Sequence, residues 1–204
     1  MIRASLSFLG GIFTFVTLGV VGVAIGIGGV FWIYGRDLPS YASLAKYQPP
    51  IISRIYSSEG HLIDEFARER RLFTTAENIP DLVKQAFISA EDKNFYNHPG
   101  YDLRGIASSI LDAVRSGGKR VRGASTIPQQ VIKNFLLDGS RRAERKVKEI
   151  ILAARIEGAL SKDKILELYL NEIFLGQNSY GVTAAAQNYF NKTLDELAPN
   201  EAAF

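Results

Sequence analysis

Apolar residues fill the first 34 positions with almost no interruption, and beyond them the pattern turns first strand-like and then helical. Between Arg3 and Arg36 no charged residue occurs for 32 positions. The densely apolar part, Phe8 to Tyr34, exceeds the roughly 20 residues that a helix needs to cross the hydrocarbon core. A cleaved signal peptide would carry a shorter apolar region, about 7–15 residues, closing on a small-x-small site. This run closes instead on Phe31-Trp32-Ile33-Tyr34, side chains suited to a membrane interface, so an uncleaved anchor is expected over 8–34. Arg3 and the amino terminus put residues 1–7 on the cytoplasmic side as a short tail, with the rest of the chain outside.

Pro39, Pro49 and Pro50 make 35–50 read as an extended linker. Ile51–Ser58 and His61–Ala67 are short strand-like runs around Glu59-Gly60, a hairpin. From Pro80 the period becomes helical, with Leu82, Val83, Ala86, Phe87 and Ala90 on one face. A second helix is expected over 103–116, capped by Asp102 and stopped by Gly117-Gly118, with Ile106, Ile110, Leu111 and Val114 inward. Thr126-x-x-Gln129 has the capping-box pattern and opens a third. A fourth spans 141–157 and ends at Gly158. Ser161 caps a fifth that runs to Ile173, and a sixth covers 180–190. Residues 200–204 look like the opening of another. The domain beyond the membrane is therefore expected to be mainly α, with one small N-terminal β-hairpin.

Composition narrows the chemistry. The chain has 204 residues, 47% of them apolar, and no Cys, which excludes a disulfide framework, thiol catalysis and Cys-ligated zinc. With two His, His61 and His98, a His-rich metal site is not expected. A net charge of +3 says little, but from Arg115 to Lys148 there are ten basic and two acidic residues, a local net of +8. A solvated basic helix is the ordinary reading of such a run. On the outer side of a membrane, phosphate on a lipid or lipid-linked substrate fits it better than nucleic acid, which is not expected as a partner.

Three stretches could carry chemistry. Glu91 and Asp92 leave the end of an apolar helix and enter a turn holding Phe95, Tyr96 and His98; a carboxylate partly desolvated by aromatic surface makes a usable base. Spacing alone favours a structural reading of the same residues, with Asp92 and His98 holding the turn together. Gly123-Ala124-Ser125-Thr126-Ile127-Pro128-Gln129-Gln130, continuing to Lys133-Asn134, is a Gly-led turn into a helix start, suited to an anionic or sugar ligand, although spacing alone favours plain capping. In Arg141-Arg142-Ala143-Glu144-Arg145-Lys146-Val147-Lys148-Glu149, helical spacing puts Arg142, Arg145, Lys146 and Glu149 around one face. Ser116-x-x-Lys119 and Ser161-x-x-Lys164 match a pattern of penicillin-binding serine enzymes but lack its partner motifs and read as helix ends, so covalent β-lactam binding is not expected.

Taken together, these segments resemble the peptidoglycan glycosyltransferases, found as the first domain of class A penicillin-binding proteins and as monofunctional transglycosylases. The resemblance runs from Arg54 to Phe204. It rests on Glu-Asp-x-x-Phe-x-x-His-x-Gly at 91–100, Gly-x-Ser-Thr-x-x-Gln-Gln at 123–130 and Arg-Lys-x-x-Glu at 145–149. Ile-Leu-Glu-x-Tyr-Leu-Asn at 165–171 and Ala-Ala-x-x-Tyr-Phe-x-Lys at 185–192 continue it. Ala124 and Pro128 stand where the family has Gly and Thr. Tyr56-Ser57-Ser58-Glu59-Gly60 and the charged approach at 67–73 look like the bifunctional class.

The resemblance implies a lysozyme-like α fold with a membrane-embedded part, occupying 51–204 and C-terminally incomplete, with no transpeptidase domain. It implies inverting polymerisation of glycan strands from lipid-linked disaccharide-pentapeptide (lipid II), for cell wall biogenesis. Glu91 would act as general base on the acceptor 4-hydroxyl, which attacks the anomeric carbon of the growing glycan, and undecaprenyl pyrophosphate leaves. Glu91 and Glu149 would be catalytic. Contacts to substrate and pyrophosphate would come from Asp92, Phe95, His98, Ser125, Thr126, Gln129, Gln130, Lys133, Arg141, Arg145, Lys146 and Lys148. Glu149 is also a candidate ligand for a divalent cation, Mg or Mn. The implied partners are lipid II, the lipid-linked glycan, the membrane and other wall-synthesis proteins. The implied location is the bacterial inner (cytoplasmic) membrane, single-pass, with the domain periplasmic. Two other classes stay open: a non-catalytic anchored scaffold of the wall-building machinery, and a lytic glycan-cleaving enzyme. A lytic enzyme would need a carboxylic acid tuned for proton donation and no lipid pyrophosphate site, so the basic cluster and the anchor argue against it.

Overall fold

Residues 1–38 and 39–204 form separate units. The computed structural model describes residues 2–36, 38–45, 53–66, 70–117, 123–137 and 142–204. Of the residues singled out above, Pro49, Pro50, Ile51, Ala67, Gly118, Lys119 and Arg141 lie outside the described residues.

In the first unit the uncharged run forms a single helix, α1 (Ile2–Tyr34). Its stretch Phe13–Tyr34, 22 residues with none of the window buried by protein, is long and apolar enough to cross a membrane. The hydroxyls of Thr14 and Thr17 donate to the carbonyls of Gly10 and Phe13 at 2.9 and 2.8 Å, so neither needs water. Past the helix end, the Arg36 guanidinium stacks 3.5 Å over the Trp32 ring.

The second unit departs at once from the expected extended linker. Ala42–Ala45 makes one helical turn, α2, because Leu44 has a place in the core and is 2% exposed. The hairpin is present as β1 (Ser53–Tyr56) antiparallel to β2 (Leu62–Phe66), with a bulge between Ile55 and Tyr56. A second ladder had no signal in the hydropathy pattern. Arg70–Arg71 (β3) pairs in parallel with Ser179–Tyr180 (β4). Two-residue strands are too short to show alternation.

The remaining elements are helices α3 (Asp81–Glu91), α4 (Leu103–Arg115), α5 (Ile127–Leu136), α6 (Arg142–Ala159), α7 (Lys162–Glu172), α8 (Val182–Phe190) and α9 (Pro199–Ala202). Asp102, Thr126 and Ser161 cap α4, α5 and α7 by accepting from the N–H groups of Arg104, Gln129 and Lys164, each cap worth about 1 kcal/mol. The reciprocal half of the expected capping box at Gln129 is not made, because that side chain is engaged with Lys146. Helix α6 runs through Gly158 to Ala159, the stop falling at the next capping residue, Ser161.

The core is built on α7, in which every residue from Ile165 to Asn171 is buried, facing Ile127, Val131 and Ile132 of α5 and Leu152, Ala153 and Ile156 of α6. Its two buried polar side chains dock the segment that precedes α3. Asn171 Oδ1 accepts from Thr74 N–H at 2.8 Å while its Nδ2 donates to Thr74 O at 2.8 Å. Glu167 accepts from Ala76 N–H at 2.8 Å. Glu167 and Asn171 of the Glu-x-Tyr-Leu-Asn motif are thus fully used inside the fold. Gly181 is required where α8 begins: φ is +82°, and a Cβ there would meet Asn171 O at 2.7 Å.

Burial does not follow the apolar spacing throughout α3 and α4. On α3, Val83 and Ile88 are buried, whereas Leu82 and Ala90 are exposed. On α4, Leu111 is 47% and Val114 74% exposed. Helical spacing identifies an apolar stripe but not what covers it, and here Ile106 is half-buried while Leu111 and Val114 stay exposed.

Candidate active site

Glu91 is the last residue of α3, and the chain turns sharply after it. Asp92 closes the helix, its N–H donating to Ile88 O at 3.0 Å. Its carboxylate is buried and accepts from His98 Nε2 at 2.8 Å and from Ile127 N–H at 3.0 Å. His98 Nδ1 accepts from Gly100 N–H at 3.1 Å, so the hydrogen bonds assign the ring proton to Nε2, donating to Asp92. Fully buried Phe95 packs edge-on to His98 and pins the turn from inside. From α7, Lys162 Nζ donates to Phe95 O at 2.5 Å and to His98 O at 2.7 Å. The turn then passes close under α6: Gly100 has φ +91°, and a Cβ on it would stand 2.5 Å from Ala153 O. This scaffold orients Glu91 and leaves its side chain exposed.

Glu91 faces a cleft of about 430 Å³ whose lining includes Gly123, Ser125, Gln129, Gln130, Lys133 and Glu149. Gln130 Nε2 donates to Glu91 Oε2 at 2.9 Å. On the opposite wall Lys146 Nζ donates to Ser125 Oγ and Gln129 Oε1, both at 2.8 Å, and to Glu149 Oε2 at 3.1 Å. An ammonium group has three protons, so all of Lys146 is committed. Glu149 is 5% exposed, and its other oxygen lies 3.3 Å from Arg145 Nε. That contact is an ion pair without hydrogen-bond alignment, for the Arg145 Nε is buried with no hydrogen-bond acceptor. Lys133 lines the cleft, is exposed, and has no ion-pair partner among the described residues.

The residues expected at the site divide accordingly. Glu91, Ser125, Gln129, Gln130, Lys133 and Glu149 share the cleft, and Lys146 fastens its wall. Asp92, Phe95, His98 and Thr126 are buried and support it from behind, and none of them lines the cleft. The Thr126 hydroxyl donates to Gly100 O at 2.7 Å. Lys148 pairs with Glu144 at 2.7 Å and does not line the cleft. Arg145 lines an adjoining hollow of about 360 Å³, with Lys133, Asn134, Glu172, Phe174 and Tyr180 among its walls. Arg141 lies outside the described residues. Lys162 was not singled out from the sequence; its neighbours Ser161 and Lys164 carried a motif, whereas its own role depends on two carbonyls more than 60 positions earlier.

The family resemblance makes Glu149 a candidate ligand for a divalent cation. Its two oxygens already face Lys146 and Arg145, and no cluster of three or more metal-ligating side chains occurs among the described residues. A divalent ion at Glu149 would have to share that carboxylate with the two cations and draw its other ligands from water or substrate phosphate.

The family model described as Transglycosylase matches residues 59–204. Penicillin-binding protein 1A of Rickettsia felis is 51% identical over 177 residues, covering 86% of this chain and 22% of that protein. The protein of the same name from Rickettsia conorii is 49% identical over 202 residues, covering 98% of this chain and 25% of its own length. A 2.6 Å crystal structure of penicillin-binding protein 1A from Haemophilus influenzae aligns with 76% of this chain and 13% of its own, at 27% identity and a TM-score of 0.36. The chain spans about a quarter of the length of these curated relatives.

Proposed function

This chain belongs to the transglycosylase family, and we propose that it polymerises peptidoglycan glycan strands from a lipid-linked disaccharide-pentapeptide. The observation that carries the reading is the pairing of an exposed carboxylate, Glu91, with a cation that has no ion-pair partner among the described residues, Lys133, in one cleft. Glu91, steadied by Gln130, takes the proton of the acceptor 4-hydroxyl as that oxygen forms its bond to the anomeric carbon of the growing glycan. The bond from that carbon to the lipid pyrophosphate breaks on the opposite face, and its electron pair leaves on the phosphate oxygen. Such a leaving group needs positive charge more than it needs a proton, and Lys133 supplies it. Glu149 is held by Lys146 and Arg145 and sets the shape and charge of the far wall. The apolar helix α1 anchors the enzyme in the bacterial cytoplasmic membrane with the domain on the outer side, where lipid-linked precursors and other wall-synthesis proteins are its partners.

The test is turnover by the purified chain, in detergent, of a fluorescent lipid-linked disaccharide-pentapeptide. A ladder of polymer supports the reading. Cleavage of preformed glycan would make the protein lytic, and no product with retained lipid binding would make it a scaffold. Glu91→Gln should cut polymer formation by roughly 10²–10⁴ while leaving donor binding intact. For topology, the chain should stay in carbonate-washed membranes, with the domain open to protease from the outer side alone.

A further inference from the structure

Tyr169 heads the largest fully buried side chains of the domain, and no described residue pairs with its polar atom. It stands in the middle of α7, and its ring meets Phe87 edge-on, with centroids 6.1 Å apart and planes at 76°. Phe87 precedes Glu91 by four residues on α3, so the phenol lies against the face of α3 that ends in Glu91. Its hydroxyl is buried and has no hydrogen-bond partner among the described residues. A phenylalanine would fill nearly the same volume without burying an unpaired hydroxyl.

Burial and then the charges of Glu91 and Asp92 push the Tyr169 hydroxyl well above its ordinary range, which keeps it an O–H donor. Of the two carboxylates near it, Asp92 is taken, by His98 and the Ile127 N–H. Glu91 is not: Oε2 accepts from Gln130, and Oε1 has no donor among the described residues. The Glu91 side chain is also exposed at a helix end, where its rotamers are open. Catalytic hydrogen bonds are often unmade in the ligand-free state and tighten with substrate.

We propose that Tyr169 is a positioning residue for Glu91: when substrate fills the cleft, Oε1 turns onto the Tyr169 hydroxyl while Oε2 keeps Gln130. The two donors, from α7 and α5, fix the plane of the carboxylate and so the direction in which it takes the acceptor proton. The inference rests on the reading of Glu91 as the base.

The experiment compares the full chain with Tyr169→Phe, alone and combined with Glu91→Gln, for kcat and KM on the lipid-linked disaccharide-pentapeptide and for thermal unfolding. The hydroxyl is idle without substrate, so Tyr169→Phe should unfold at the wild-type temperature or above it. Its kcat should fall about tenfold, the worth of one ordinary hydrogen bond, with KM unchanged. In the Glu91→Gln background the second substitution should cost less than twofold. A purely structural tyrosine would lower the unfolding temperature and leave kcat alone. Wild-type kcat in Tyr169→Phe, or an equal loss in both backgrounds, overturns the inference while the function stands. No turnover by the wild-type chain overturns the proposed function and this inference with it.

Discussion

Lys146 Nζ lies 2.8 Å from Gln129 Oε1, a contact that ties α6 to the first turn of α5 across the wall of the cleft. With Ser125 and Glu149 as its other acceptors, Lys146 fastens three segments and has no proton left for a phosphate. Lys146→Met should therefore lower stability by about 1–2 kcal/mol in urea denaturation, a modest figure because the ammonium is partly solvated. A double-mutant cycle with Glu149→Gln should show coupling of about 0.5–3 kcal/mol.

Unpaired positive charge in the cleft lining comes down to one residue among those described, Lys133. Lys133→Ala should weaken binding of the lipid pyrophosphate by about tenfold or more, the worth of a charge-assisted hydrogen bond. Lys148→Ala should leave it within about twofold, since Lys148 is paired with Glu144. Fluorescence anisotropy with a labelled lipid pyrophosphate measures both.

His98 holds Asp92, and Asp92 holds the first N–H of α5. His98→Ala removes the stronger donor from a buried carboxylate and should cost about 1.5–3 kcal/mol, read from urea midpoints. Donor affinity of the fraction that remains folded should be unchanged, because neither residue lines the cleft.

Hydrogen bonds from the Gly105 N–H, the Asn94 amide and the Arg104 N–H hold the Asp102 carboxyl below its ordinary value. The folded state therefore binds fewer protons there than the unfolded chain, whose carboxyl titrates near pH 4. Its contribution is complete above that pH and is lost as pH falls through the lower folded value. The difference in urea midpoint between wild type and Asp102→Ala should be constant from about pH 7 to 5 and shrink steadily below about pH 4.

Gly100 has both a positive φ and backbone of α6 where its Cβ would be. Gly100→Ala should destabilise by about 2 kcal/mol or more and loosen the 92–100 turn. The accompanying sign should be faster proteolysis within that turn than in wild type.

The sequence by itself determined what depends on neighbours along the chain. The uncharged run is one helix, Asp102, Thr126 and Ser161 are caps, and Glu59-Gly60 turns a hairpin, because each is decided within a few residues. Spacing also picked out Glu91, Gln130 and Lys133, which share one cleft. What only the tertiary structure decided is which polar groups are still available once the chain has folded. Asp92, His98 and Thr126 looked like ligand contacts but are consumed by one another and by Ile127 and Gly100. Lys146 and Lys148 looked alike in a basic run, yet one fastens the cleft wall and the other pairs along its own helix. Lys162 carries no signal in sequence, and Tyr169 carries only its place in the motif at 165–171, since their partners sit on elements dozens of residues away. A hydrogen-bond donor can serve a ligand only if the fold has not used it, and that is settled by long-range packing.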